Sequence, residues 1–183
     1  MDRFARWLLS VTGWRLVGEA PPGDKYVVIL YPHTSNWDFP LSILSAWGLN
    51  VPVAFLAKDS LFKPPIGGIM RALGGIPVRR AANENLVAQV TRLVAERPKV
   101  ALSLAPEGTR KKTDHWKSGF YHIALESKLP VVLGFIDGAT RTLGFGPRIE
   151  LTGDKARDLE TFRAFYADKR GLNPDQAGTI TFR

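Results

Sequence analysis

The chain has 183 residues, a net charge of +8 and no cysteine. Its length suits one domain with a full core, and the missing cysteine excludes disulfides, thiolate nucleophiles and Cys-ligated metals. So basic a surface attracts polyanions, whether nucleic acid, anionic lipid, phosphorylated metabolites or acidic proteins, without choosing among them.

The first 15 residues place Phe4, Trp7, Leu8, Val11 and Trp14 at helical spacing, with Arg3, Arg6 and Ser10 off that face. On its own this reads first as a core-packing helix, because most amphipathic helices bury their apolar face. Basic residues beside Trp, Phe and Leu also fit a helix lying in a lipid interface. No uncharged apolar run approaches the roughly 18 residues of a membrane span. The start also lacks a long apolar region followed by a small-residue cleavage site. The expected location is therefore cytoplasmic or membrane-peripheral.

After the loop "EAPPGDK", "YVVILY" reads as a buried strand. A turn through "PHTSNWDFP" leads to a helix from about Pro40 to Trp47, because proline suits a first helical turn and disfavours a helical Phe39 before it. "VPVAFLAK" is a second strand. A Gly/Pro-rich stretch with a short helix precedes a strand from Gly75 to Arg80. Residues 84 to 97 carry an apolar stripe of Leu86, Val87, Val90, Leu93 and Val94, and Pro98 ends that helix. "KVALSLA" is a strand running into "PEGTR". A helix from Gly119 to Ser127 leads to the strand "PVVLGFI". A hairpin-like region with Gly144, Gly146 and Pro147 precedes "RIEL". Residues 154 to 169 form a last helix, and "GTITF" is expected to close the sheet. Strands alternating with helices predict an α/β fold: a single domain with a mixed central sheet flanked by helices. The expected division is an amphipathic N-terminal helix over residues 1–20 and a main domain over 21–183.

There is no G-x-S-x-G elbow, no phosphate-binding P-loop and no G-x-G-x-x-G fingerprint. His33, His115 and His122 show no metal-ligand pattern. What remains is a set of polar residues at strand exits: His33 and Asp38, Lys58, Arg80, Glu107 and Arg110. In open α/β sheets ligands bind outside the carboxyl ends of the strands. A turn between His33 and Asp38 can fold the carboxylate onto the imidazole, fixing its tautomer and leaving the other nitrogen free to take a proton. The plain alternative is a solvated loop that happens to hold both residues. In "PEGTR", a turn through Gly108 can expose backbone N–H groups, and Arg110 offers a planar fork for phosphate or carboxylate. Glu107 could accept from a substrate hydroxyl or hold an arginine. A β-turn with a surface ion pair would read the same way.

Taken in order, these motifs resemble the glycerolipid acyltransferase superfamily, that of lysophosphatidic acid acyltransferase. "HTSNWD" looks like its H-x-x-x-x-D motif. "GGIPVRR" is similar to its second motif, "PEGTR" to its third and "LPVVLGF" to its fourth, while "WKSGFYHIA" resembles the helix after the third. The resemblance covers about residues 26 to 136. It implies transfer of an acyl group from acyl-CoA or acyl carrier protein, as co-substrate, to a hydroxyl of a lysophospholipid-type acceptor such as 1-acylglycerol-3-phosphate. No bound cofactor or metal is implied. His33 would be the general base and Asp38 its orienter, with backbone N–H groups at the helix start for the oxyanion. Arg80, Glu107, Gly108, Thr109, Arg110 and Lys58 would hold the acceptor. An acceptor embedded in a bilayer would give the N-terminal helix an interfacial role on the inner, anionic membrane face. Pro32, Ala105 and Arg79 depart from the family's frequent residues, which leaves another amphiphile open, such as a lyso-ornithine lipid or glycolipid. A non-catalytic basic module for membrane or nucleic acid is the remaining alternative, with nucleic acid disfavoured because the basic residues are scattered apart from "RKK" at 110–112.

Overall fold

A computed structural model describes residues 1–78 and 86–183 of the chain. Its elements are α1 (Asp2–Val11), β1 (Arg15–Val17), β2 (Lys25–Leu30), α2 (Asp38–Gly48), β3 (Val53–Lys58), α3 (Gly67–Ala72), β4 (Gly75–Val78), α4 (Leu86–Ala95), β5 (Val100–Leu104), α5 (Gly119–Glu126), β6 (Val131–Asp137), β7 (Thr142–Ile149) and α6 (Lys155–Tyr166). The strands form one sheet in the order β1-β7-β6-β2-β5-β3-β4. β6, β2, β5, β3 and β4 pair in parallel, whereas β7 runs antiparallel to β6. The sheet is therefore mixed, and helices cover both faces, as the alternating pattern predicts.

Alternation along the central strands divides the core in two. Val27, Ile29, Leu102, Val131 and Leu133 face the helices α4, α5 and α6, together with Trp116 and Phe162. Tyr26, Val28, Ala101 and Val132 face α2 on the other side. β2 is buried over most of its length between β5 and β6, so the loop leaving it emerges at the centre of the sheet's carboxyl edge.

Several elements differ from the sequence expectation. α2 begins at Asp38, so Phe39 is helical despite the proline after it. In a first turn Pro40 loses no helix hydrogen bond, since those N–H groups have no intrahelical partner. Gly144, Gly146 and Pro147 lie inside β7, not in a hairpin turn. Gly144 belongs there because a Cβ would stand 2.1 Å from the carbonyl oxygen of Val17, where β1 pairs with β7. The three-residue β1 carries too short an apolar run to stand out in the sequence. "GTITF" does not join the sheet and touches it nowhere in register; it makes one isolated bridge, Trp116 to Phe182. Arg79, Arg80 and the start of the helix expected from residue 84 lie outside the described residues.

The N-terminal helix ends at Val11, and residues 15–17 already belong to the sheet. Its inward side is not the aromatic one. Ala5 and Leu9 are buried, while Phe4, Trp7 and Val11 are 57%, 58% and 59% exposed. Gly48 of α2 lies against this side: a Cβ there would stand 2.6 Å from the Leu16 side chain, while the Cβ of Ala5 is at an ordinary contact distance of 4.0 Å, so the side of α1 that carries the small Ala5 is the one that meets α2. Leu9 then packs among Leu41, Ile136 and Leu143. No helix among the described residues is long and apolar enough to cross a membrane. Leu9→Ala should destabilise the fold by about 2–5 kcal/mol through its buried cavity. Trp7→Ser should change stability by at most about 0.5 kcal/mol. Denaturant unfolding of both variants checks the pair, and equal losses would mean that the helix packs through its aromatic side.

Candidate active site

The site begins where β2 ends. Leu30 leads through Tyr31 and Pro32 to His33, and the chain then turns back so that α2 starts at Asp38. The Asp38 side chain is 1% exposed and that of His33 16%, so a bound molecule can reach the ring but not the carboxylate. Oδ2 of Asp38 accepts the backbone N–H groups of Thr34 and Ser35, each at 2.8 Å. It also stands 3.1 Å from Nδ1 of His33. The angle of that approach falls short of a formed hydrogen bond, and Nδ1 has no other partner. Such contacts are commonly loose without substrate and tighten when it binds. The five-residue spacing thus works through a turn whose amides hold the carboxylate beneath the ring.

Beside this loop, β5 delivers "PEGTR". Glu107 is almost wholly buried. Its Oε2 accepts the backbone N–H of His33 at 2.6 Å, and its Oε1 accepts the N–H of Gly178 at 2.7 Å. Burial raises its carboxyl above the usual value of 4.5; the N–H groups of Gly178 and His33 oppose that shift, and Asp38 adds to it. Both oxygens of Glu107 therefore bind the protein's own backbone, neither an arginine nor open solvent. Burial also pushes the nearby Tyr31 hydroxyl up to about 12, with Glu107 adding to the effect.

Gly108 has φ +64°, a conformation that L side chains rarely adopt. The Lys117 side chain lies across it, and a Cβ at Gly108 would meet Lys117 Nζ at 2.7 Å. Thr109 and Arg110 are exposed beyond this turn. Two clefts meet at them. One, of about 720 Å³, is lined by His33, Gly108, Thr109, Arg110 and Lys117 over an apolar floor that includes Phe120. The other, of about 510 Å³, is lined by Thr34, Ser35, Trp37, Arg110 and Asn173. Arg110 makes no ion pair among the described residues. The structure thus brings together His33, Asp38, Glu107, Gly108, Thr109 and Arg110. Lys58 is exposed at the end of β3 and lines neither cleft, and Arg80 lies outside the described residues. Lys117 was not singled out in the sequence, although its place just after "PEGTR", before the α5 helix, was the available signal.

The buried carboxylate, the half-buried imidazole and the free guanidinium form an arrangement able to take a proton from a bound hydroxyl beside an anion. Among the described residues, no cluster of His, Asp and Glu could hold a metal ion. No protein of curated function matches the chain. Among solved structures, the fold is similar to that of the 1-acyl-sn-glycerophosphate (LPA) acyltransferase PlsC from Thermotoga maritima, with a TM-score of 0.64 at 21% identity over 90% of this chain and 73% of that one. The Acyltransferase family model matches residues 13–133, from β1 to the first residues of β6 and across both motif loops, and the chain accordingly belongs to the acyltransferase family.

Proposed function

We propose that this acyltransferase moves a fatty acyl group from a thioester, acyl-CoA or acyl carrier protein, to a hydroxyl of a lysophospholipid-type acceptor, with 1-acylglycerol-3-phosphate as the acceptor class. The observation that carries the reading is His33, reachable from the cleft, with Nδ1 held 3.1 Å above a buried Asp38. Asp38 fixes the ring so that Nε2 faces the cleft and stabilises the imidazolium. Nε2 removes the acceptor's hydroxyl proton as the oxygen attacks the thioester carbonyl carbon. The tetrahedral intermediate then collapses, the C–S bond breaks, and the leaving thiolate takes the proton back from Nε2. Arg110 and Lys117 meet the acceptor's phosphate, and Arg80 shares that role by resemblance. Lys58, exposed and away from both clefts, has the weakest support. Glu107 orders the backbone at His33 and does not contact substrate. The PlsC structure is described as acting on 1-acyl-sn-glycerophosphate, and the basic rim of the cleft is the feature here that suits such an anion.

The same reading places the protein on the inner, anionic face of a membrane. The exposed Phe4, Trp7 and Val11 would sit at the acyl boundary, with Arg3 and Arg6 near head groups, each worth about 1 kcal/mol there. Binding then combines a charge term, screened by salt, with an apolar term that persists.

His33→Ala should lower turnover by about 10² to 10⁴ with the fold intact, and Asp38→Asn should lose most activity because its amide can hold the wrong tautomer. A thiol-release assay decides; near wild-type turnover in His33→Ala would sink the mechanism. Arg110→Lys should raise the apparent constant for a phosphate-bearing acceptor by about tenfold, since an ammonium lacks the bidentate fork. A neutral acceptor used equally well by both proteins would refute the phosphate assignment. Glu107→Gln should remove a pH-dependent part of stability. Because the folded carboxyl titrates above its unfolded value, its contribution is complete below about pH 4.5 and is lost as pH rises through the folded value. Unfolding measured across that range should show the decline in wild type and a smaller one in the variant. Trp7→Ser should weaken co-sedimentation with anionic vesicles, and unchanged binding would exclude the aromatic face as the contact.

A further inference from the structure

Residues 134–183 lie beyond the family match, and part of this segment returns to the site. We infer that residues 171–182 are a strap whose Asn173 and Gly178 are positioning residues for His33. This rests on His33 acting as the base. Two separate lines of contacts run from the strap to that residue, one by hydrogen bonds throughout and one ending in the 3.1 Å approach of Asp38 to its ring. In the first, Gly178 donates its N–H to Oε1 of Glu107 at 2.7 Å, and Oε2 of the same carboxylate accepts the N–H of His33 at 2.6 Å. In the second, Nδ2 of Asn173 donates to the carbonyl of Thr34 at 2.8 Å, and its backbone N–H donates to the Thr34 hydroxyl at 3.1 Å. Thr34 in turn donates its N–H to Oδ2 of Asp38, the carboxylate beneath the ring. One line sets the backbone of His33 and the other sets its ring.

The strap is held tightly enough to transmit position. Tyr31 donates its hydroxyl to the carbonyl of Gly178 at 2.8 Å. Thr179 donates its N–H to the Thr113 carbonyl at 3.0 Å, and the carbonyl of Thr181 accepts from Trp116 at 2.7 Å. At its start, Arg170 donates its N–H to Asp137 at 3.2 Å, and its carbonyl accepts from Gly138 at 2.7 Å. The fit over the loop leaves no slack: a Cβ at Gly171 would meet the Thr34 hydroxyl at 2.5 Å, and one at Gly178 would meet Thr113 at 2.6 Å and Glu107 Oε1 at 3.1 Å. A buried carboxylate with only one of its two donors would carry a large desolvation cost, so Glu107 ties the two segments whenever the chain is folded.

The test compares Gly178→Ala and Asn173→Ala with wild type in turnover, in the apparent constants for both substrates, in melting temperature and in the backbone amide proton shifts of His33 and Thr34. Turnover should fall about 10- to 100-fold, as misplacement of a reacting group does, while both substrate constants stay within about twofold. The amide proton of His33 should lose its downfield position in Gly178→Ala, and that of Thr34 should move in Asn173→Ala. Turnover within about twofold of wild type in both variants, or a loss confined to melting temperature with unmoved amide shifts, would overturn the inference. So would a change in the acceptor constant alone, because Asn173 borders one cleft and would then be a substrate contact. If Gly178→Ala does not fold, Asn173→Ala decides. His33→Ala separates the two levels: if it turns over normally the general-base reading fails, whereas an inactive His33→Ala beside fully active strap variants refutes the strap alone.

Discussion

A buried carboxylate shared between two backbone amides organises this molecule. Glu107 joins His33, 74 positions before it, to Gly178, 71 positions after it. Left without donors in the interior, such a group would cost several kcal/mol. Its presence between β2's exit loop, β5's exit loop and the C-terminal segment therefore obliges all three to meet. The His33 ring, the arginine-bearing turn and the strap are neighbours for that reason, although they are far apart in the chain.

Asp38 plays a similar part at shorter range. Its carboxylate accepts two amides of its own turn, so the loop has one preferred shape before any substrate arrives. That preorganisation is worth having where charge develops during reaction, because dipoles already in place need no rearrangement. Arg110 is built on the opposite plan. It stands exposed on a turn that Gly108 allows, between two clefts, with a side chain free to follow an anion. The two sites thus combine a carboxylate fixed by its own loop with an exposed cation beside the clefts.

Much of this was legible in the sequence. The central strands β2, β5 and β6 showed because their apolar runs are continuous, as strands buried on both faces must be, and β2 and β5 ended in a polar motif. His33 and Asp38 were legible as a pair because the turn between them is local. Glu107 was legible as a site residue but not as a backbone acceptor, since nothing near it in the chain names Gly178 as its partner. "GTITF" has the composition of a strand, yet the Gly178 N–H is engaged by Glu107 and unavailable to a ladder. In α1 the spacing gave the helix, while the choice of inward face was set by packing on α2, about 40 residues away, where the small Ala5 meets Gly48. Long-range hydrogen bonds and small-residue contacts leave little local trace.

The ends of the sheet carry a further consequence. On one side the sheet closes with β1, a strand of only three residues; on the other it closes with β4, where Pro77 has no N–H to offer. An open strand edge is a template on which another chain can add itself, and short or proline-bearing edges blunt that template. Copies of the chain brought together at high local concentration would meet edge to edge as well as face to face. Edges of this kind let such copies sit side by side without knitting their sheets together.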